Sequence, residues 1–208
     1  MIDAEVQVNS SAIRLAALRQ CDDLFFSLNF TELSQLSSML IDQHTEYGDA
    51  YAFRCFALLG NTQVNGGGEY GYDLVELLRD YFPACERALA TEAATVCRLF
   101  LKLVFGELVK RIARAKPGDK FNLQKTDPLC GGAFAVMEGE FEKAEENFAR
   151  ATLEPASRVY GHAGMAMLKL FDSDMDGALY AFSQAGIEDD DITSLAHWLR
   201  REARPVLY

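Results

Sequence analysis

A register that repeats near the C-terminus constrains the fold more than any other feature of the chain. Ala144, Phe148 and Ala151 recur 34 residues later as Ala178, Phe182 and Ala185. Gly132 recurs as the equally small Ala166. Phe141 and Met175 each stand three residues before the first alanine of their copy, and Gly139 and Ser173 two before that. This period is the length of one helix–turn–helix unit, and self-similarity at that length points to a stacked helical array. Such units bury their apolar faces on one another and present a continuous surface to other chains. The expected fold class is all-α: antiparallel helix hairpins stacked as a short α-solenoid, preceded by an N-terminal helical bundle or by degenerate repeats.

Apolar spacing predicts helices almost throughout. Ile13, Leu15, Ala16, Leu18, Leu24, Phe25 and Leu28 recur at helical spacing over 11–28, and helices follow from Thr31 to about His44 and from about Asp49 to Leu59. The stretch Gly60–Gly71, rich in glycine and asparagine, reads as a loop and the clearest break in the chain. Helices are expected next over about 72–89, bent or broken at Pro83, and over about 91–115. The second of these ends in Lys110, Arg111, Arg114 and Lys116, which complement its dipole. The stop signal Lys116-Pro117-Gly118-Asp119-Lys120 divides an N-terminal helical region, 1–116, from a repeat region, 121–208, as two parts or one continuous domain. Beyond it, helices are expected over about 128–138, 140–152, 157–171, 174–186 and 192–203.

Composition narrows the setting. The chain has 208 residues, 50% of them hydrophobic, enough for a sizeable core. Its net charge of −11 argues against nucleic acid, which is held by clustered Lys and Arg. Cys21, Cys55, Cys85, Cys97 and Cys130 are an odd number without a CxxC pair, so a disulfide framework is not expected. The acidic N-terminus lacks the pattern of a secretory signal, and no apolar run reaches about 18 residues. An acidic cytoplasmic protein without membrane insertion is the expectation.

The segment Ala135–Pro155, AVMEGEFEKAEENFARATLEP, resembles the tetratricopeptide repeat (TPR) family. Gly132, Gly139, Phe141, Ala144, Phe148, Ala151 and Pro155 fill that family's small, turn, aromatic and alanine positions, with the proline one residue early. Ala166, Ser173, Met175, Ala178, Phe182 and Ala185 fill them in the second copy, which lacks the turn glycine and the closing proline. The usual tryptophan position falls on Pro128 and His162. The resemblance covers two copies in about 125–186 plus a terminal helix. A weaker similarity, in composition and repeat type, is to the TPR-type chaperones of type III secretion.

The resemblance implies a concave groove lined by the first helix of each hairpin. Its partner-binding residues would be Leu129, Ala133, Met137, Tyr160, Ala163, Met167, His197 and Arg201, with Thr126, Val136, Leu170, Phe171 and Ser194 beside them. Relatives that hold the acidic tails of chaperones carry Lys, Arg and Asn at such positions. Here they are largely apolar, which suits an apolar or amphipathic segment of a partner protein. The alternative at these positions is core covered by the N-terminal region, above all at Leu170 and Phe171. The function expected is a non-catalytic interaction module, an adaptor or chaperone. A structural subunit of an assembly such as a secretion apparatus comes next, and an enzyme whose site is not legible in the sequence last. Self-association through the same face is a further expectation.

Other motifs carry less. Asp172-Ser173-Asp174-Met175-Asp176-Gly177 matches the start of a calcium loop, but Ser183 stands where a bidentate glutamate should close it. The same residues serve as the turn of the second hairpin, which requires Ala178–Phe182 to be helical, and the turn is the expectation. Glu188-Asp189-Asp190-Asp191 reads as helix-capping acid. His44, His162 and His197 have no metal-binding spacing, and Gly66-Gly67-Gly68 has no Gly-Lys-Ser/Thr after it. No metal, cofactor or catalytic group is expected.

Overall fold

The computed structural model describes residues 2–43, 48–65, 91–116, 118–119 and 122–185. Among them every regular element is a helix and there is no strand, so the fold is all-α as expected. The chain packs as two compact units: of the described residues, 2–61 and 91–98 belong to the first, and 62–65 and those from 99 onward to the second. The first holds α1 (Ile2–Phe26), α2 (Phe30–Gln43), most of α3 (Gly48–Asn65) and the start of α4 (Glu92–Leu101). The second holds the end of α4, a π-helical turn (Lys102–Gly106), α5 (Glu107–Arg114), the short α6 (Leu123–Thr126), α7 (Pro128–Met137), α8 (Phe141–Thr152), α9 (Arg158–Phe171) and α10 (Met175–Ser183).

Two readings of the sequence shift accordingly. Residues 99–116, assigned above to the N-terminal region, belong to the second unit: the signal at 116–120 ends a helix without ending a domain. Gly60 does not start a loop, because α3 continues to Asn65. A Cβ at Gly60 would lie 2.7 Å from the ring of Phe30, so this glycine lets two helices approach rather than breaking one. His44, the helix expected over 72–89, Cys85, the glycine triplet, Glu188–Asp191 and the helix expected over 192–203 lie outside the described residues.

In the second unit the 34-residue register is written into the backbone. Gly139 (φ 73°) and Ser173 (φ 60°) both adopt the left-handed conformation after their helices, α7 and α9. The N–H of Gly139 donates to Val136 O at 3.1 Å, and that of Ser173 to Leu170 O at 3.1 Å. The N–H of Glu140 donates to Ala135 O at 2.8 Å, and that of Asp174 to Lys169 O at 2.8 Å. Each turn thus satisfies the last carbonyls of its helix in the way a left-handed C-terminal cap does. Ala144, Phe148 and Ala151 on α8 are buried, and so are Ala178 and Phe182 on α10 and Ala185 after it. The helices of the first hairpin are antiparallel: the ring of Phe148 on α8 lies against Gly132 on α7, well beyond the turn at Gly139. At the junction between hairpins, Phe141 at the start of α8 stacks on Phe171 at the end of α9, centroids 5.7 Å apart.

The first unit contains the same construction, which the sequence register does not reveal. Leu28, between α1 and α2, is left-handed too (φ 55°). Its N–H donates to Phe25 O and that of Asn29 to Leu24 O, both at 3.0 Å, the pattern found at Gly139 and Ser173. Aligning Leu28 with Gly139 places α2 on α8 and α3 on α9. Leu33, Ser37 and Leu40 then stand for Ala144, Phe148 and Ala151, and all six are buried. On α3, Ala50, Ala52, Phe53, Cys55, Phe56, Ala57, Leu59 and Gly60 are buried, and so are the eight matching positions of α9, Gly161 to Phe171. Phe30 meets Gly60 just as Phe141 meets Phe171, 30 residues on in each case. Here the aromatic weight sits on different elements: the core is built from Phe25, Phe30 and Phe56, with centroids 5.5 and 6.0 Å from Phe56. The two constructions lie 111 residues apart, which is not a multiple of 34, so no search at the repeat period aligns them.

Candidate functional site

The expected partner-binding residues sit where the register places them, on α7 and α9, but they do not line an open groove. Leu129, Ala133, Ala163 and Met167 are 0% exposed and Met137 1%. Val136, Leu170 and Phe171 are buried too, Tyr160 is half-buried and Thr126 exposed. Ser194, His197 and Arg201 lie outside the described residues. The groove expected at the first helices is therefore closed, and the five apolar residues form core.

The closing elements belong to the same unit. The π-helical turn packs against both α7 and α9, and α5 packs against α7. Their inward side chains, Val104, Phe105 and Leu108, are buried, as is Leu101 just before them. Burying one such side chain stabilises by about 1.5–3 kcal/mol, so the four contribute roughly 6–12 kcal/mol. That is comparable to the whole stability of a domain, about 5–15 kcal/mol. The covering helix is a wall of the unit, not a lid.

One polar cluster fixes this wall in place. Arg111 on α5 donates through Nη1 to both carboxylate oxygens of Asp127, at 2.9 and 2.7 Å, and through Nη2 to Ser157 Oγ at 3.1 Å. Its Nε donates to Glu107 Oε1 at 3.2 Å. Asp127 and Ser157 are the residues that precede α7 and α9, so one guanidinium ties α5 to the start of both first helices. Asp127 also accepts the N–H of Cys130 at 3.2 Å, capping α7 ahead of Pro128. Ser157 in turn donates to Glu154 Oε2 at 3.1 Å. Burial works against the Arg111 cation, but its bonds to Asp127 and Glu107 hold its pKa above the ordinary guanidinium value. Burial also pushes the Cys130 thiol up to about 12, with Asp127 adding to the shift, so this cysteine is a neutral core group rather than a nucleophile.

Removing the guanidinium leaves Glu107 and Asp127 mostly buried without their main partner. Arg111→Ala is expected to lower the unfolding free energy by about 2–4 kcal/mol in urea titration, below the full cost of breaking a wholly buried pair because some solvent reaches the site. Arg111→Lys keeps the charge but loses the fork, and should fall in between. A loss below about 0.5 kcal/mol for Arg111→Ala would reduce the cluster to an ordinary surface ion pair.

Chemistry is sparse elsewhere. The calcium-like hexapeptide forms the turn expected of it: Asp174 accepts the N–H of Gly177 at 2.8 Å as the cap of α10, and Ala178–Phe182 are helical. Among the described residues no group of His, Cys, Asp and Glu is placed to hold a metal ion. His162 is half-buried, its pKa lowered by burial and by Arg158. No helix among the described residues is long and apolar enough to cross a membrane. No family model, curated protein or solved structure matches the chain. The Arg111 cluster escaped the sequence reading because Arg111, Asp127 and Ser157 are far apart in sequence; the legible hint was Asp127-Pro128, a cap followed by an N1 proline.

Proposed function

We propose that the chain is a non-catalytic protein–protein interaction module of TPR-like hairpins, an adaptor or chaperone working in the cytoplasm. The observation that carries this reading is the recurrence, 34 residues apart, of left-handed turns with matching hydrogen bonds and buried alanine and phenylalanine positions. Repeats of this kind are built to present surface rather than to enclose a reactive centre. The filled face of α7 and α9 moves the working surface away from the groove that the resemblance implies. It also favours a second reading, a structural subunit of a larger assembly, since a unit that fills its own groove offers outer faces for lateral packing. The test is affinity purification of the intact chain from its native cell with quantitative mass spectrometry. A protein recovered in near-stoichiometric amount is expected. A chain recovered alone, at native expression and after mild crosslinking, would remove both readings.

A further inference from the structure

Charge is segregated along this chain. Its lysines are Lys102, Lys110, Lys116, Lys120, Lys125, Lys143 and Lys169, so all but two fall within 102–125. That stretch holds seven Lys and Arg against two Asp and Glu, in a chain of net charge −11. Folding sorts it into two faces. Val104, Phe105, Glu107 and Leu108 are buried, and Arg111 turns to Asp127. Lys102, Val109, Lys110, Ala113, Arg114 and Lys116 are exposed, Val109 at 54%. Between Lys102 and Lys116 no exposed residue is acidic. Complementing the helix dipole accounts for Arg114 in the last turn of α5. Lys110, expected above to share that role, lies a turn earlier, reaches Glu107 at 3.9 Å and still leaves its side chain 58% exposed, and Lys102 lies further still from the helix end.

We infer that this outer face, from Lys102 to Lys116, docks a short acidic segment of a partner protein. The inference rests on the interaction-module reading and names its surface. Charge complementarity selects the occupant. Exposed charges act over a screening length of about 8 Å at physiological salt, so a segment lying on this face meets its cations before it meets the rest of the protein. The face is roughly 20 Å long at 1.5 Å per residue, enough for a few carboxylates on either side of one apolar side chain seated on Val109 and Ala113. A long uniform polyanion fits poorly. Duplex DNA or an anionic bilayer would extend past the stripe and meet a chain with a large excess of acid, including the exposed Glu142, Glu145 and Glu146 of the same unit.

The experiment is fluorescence anisotropy with the full chain and a labelled peptide of Glu and Ala residues around a single Leu. Binding is expected, weakening about tenfold between 50 and 300 mM salt as the exposed charges are screened. Lys102→Glu/Lys110→Glu/Arg114→Glu should bind at least tenfold more weakly, with a thermal midpoint lowered only slightly by the loss of Arg114 from the last turn of α5. Should the charge reversal itself disturb folding, Lys102→Gln/Lys110→Gln/Arg114→Gln must show a loss in the same direction. Equal binding by folded variants overturns the inference, as does binding of a short DNA duplex or of phosphatidylserine vesicles as tight as that of the peptide. A peptide that does not bind, with a protein still co-purifying from the cell, condemns this surface and leaves the module reading standing.

Discussion

Met167→Glu is expected to unfold the second unit rather than to block a partner. Met167 is fully buried on α9, in the face closed by the π-helical turn and α5. A carboxylate there either ionises without a partner in the core or stays protonated, and either state costs several kcal/mol. The whole margin is only about 5–15 kcal/mol, so far-UV circular dichroism and urea titration should show a transition weakened by about 4 kcal/mol or more, or lost. Met167→Leu conserves volume and should stay within about 1.5 kcal/mol of wild type. The pair of variants separates the two meanings of an apolar first-helix face. If Met167→Glu folds with near-native stability, the face is open and the groove implied by the family resemblance returns as the binding site.

The contrast between the two meanings explains what was legible in the sequence. Local rules placed the hairpins well: the spacing of Ala144, Phe148 and Ala151 set α8, and Gly139 and Ser173 marked turns whose left-handed backbone follows from the need to cap α7 and α9. The face of a helix that carries Leu129, Ala133 and Met137 was legible as well. What lies on that face was not, because it is decided by long-range packing, and a helix followed by Pro117-Gly118 looks like the end of a domain whether or not it folds back. Both α1 and α2 were expected as helices, with degenerate repeats as one of two readings of this region, but the register of their hairpin was not legible, for a different reason. Its turn residue is Leu28 and its Phe148 equivalent is Ser37, so the geometry survives with the marker residues gone. Gly60 shows the limit of reading glycine as a breaker, since its meaning depends on Phe30, 30 residues away.

Phe148→Ala should be the most damaging truncation in the repeat core. The ring lies between two glycines on neighbouring first helices: a Cβ built on Gly132 of α7 or on Gly164 of α9 would come within 2.6 Å of it. Phenylalanine-to-alanine changes in cores cost about 3–5 kcal/mol, the spread reflecting how far the surroundings collapse into the space. Here collapse is poor, because the walls facing the ring have no side chains to move inward, and α9 is already held close to α8 where Gly161 meets the backbone of Phe148 and Thr152. The loss in urea titration is therefore expected near the upper end of that range. The same geometry makes a second prediction about coupling. Gly164→Ala alone should destabilise, since its methyl meets a ring confined on the other side by Gly132. In the Phe148→Ala background that methyl enters the vacated space, and Gly164→Ala should become neutral or stabilising. The double-mutant cycle should therefore show a coupling of at least about 1 kcal/mol, well beyond the additivity expected of independent sites. Additive losses would mean that the ring does not occupy the slot between α7 and α9, and the packing that joins the two hairpins would have to be redrawn.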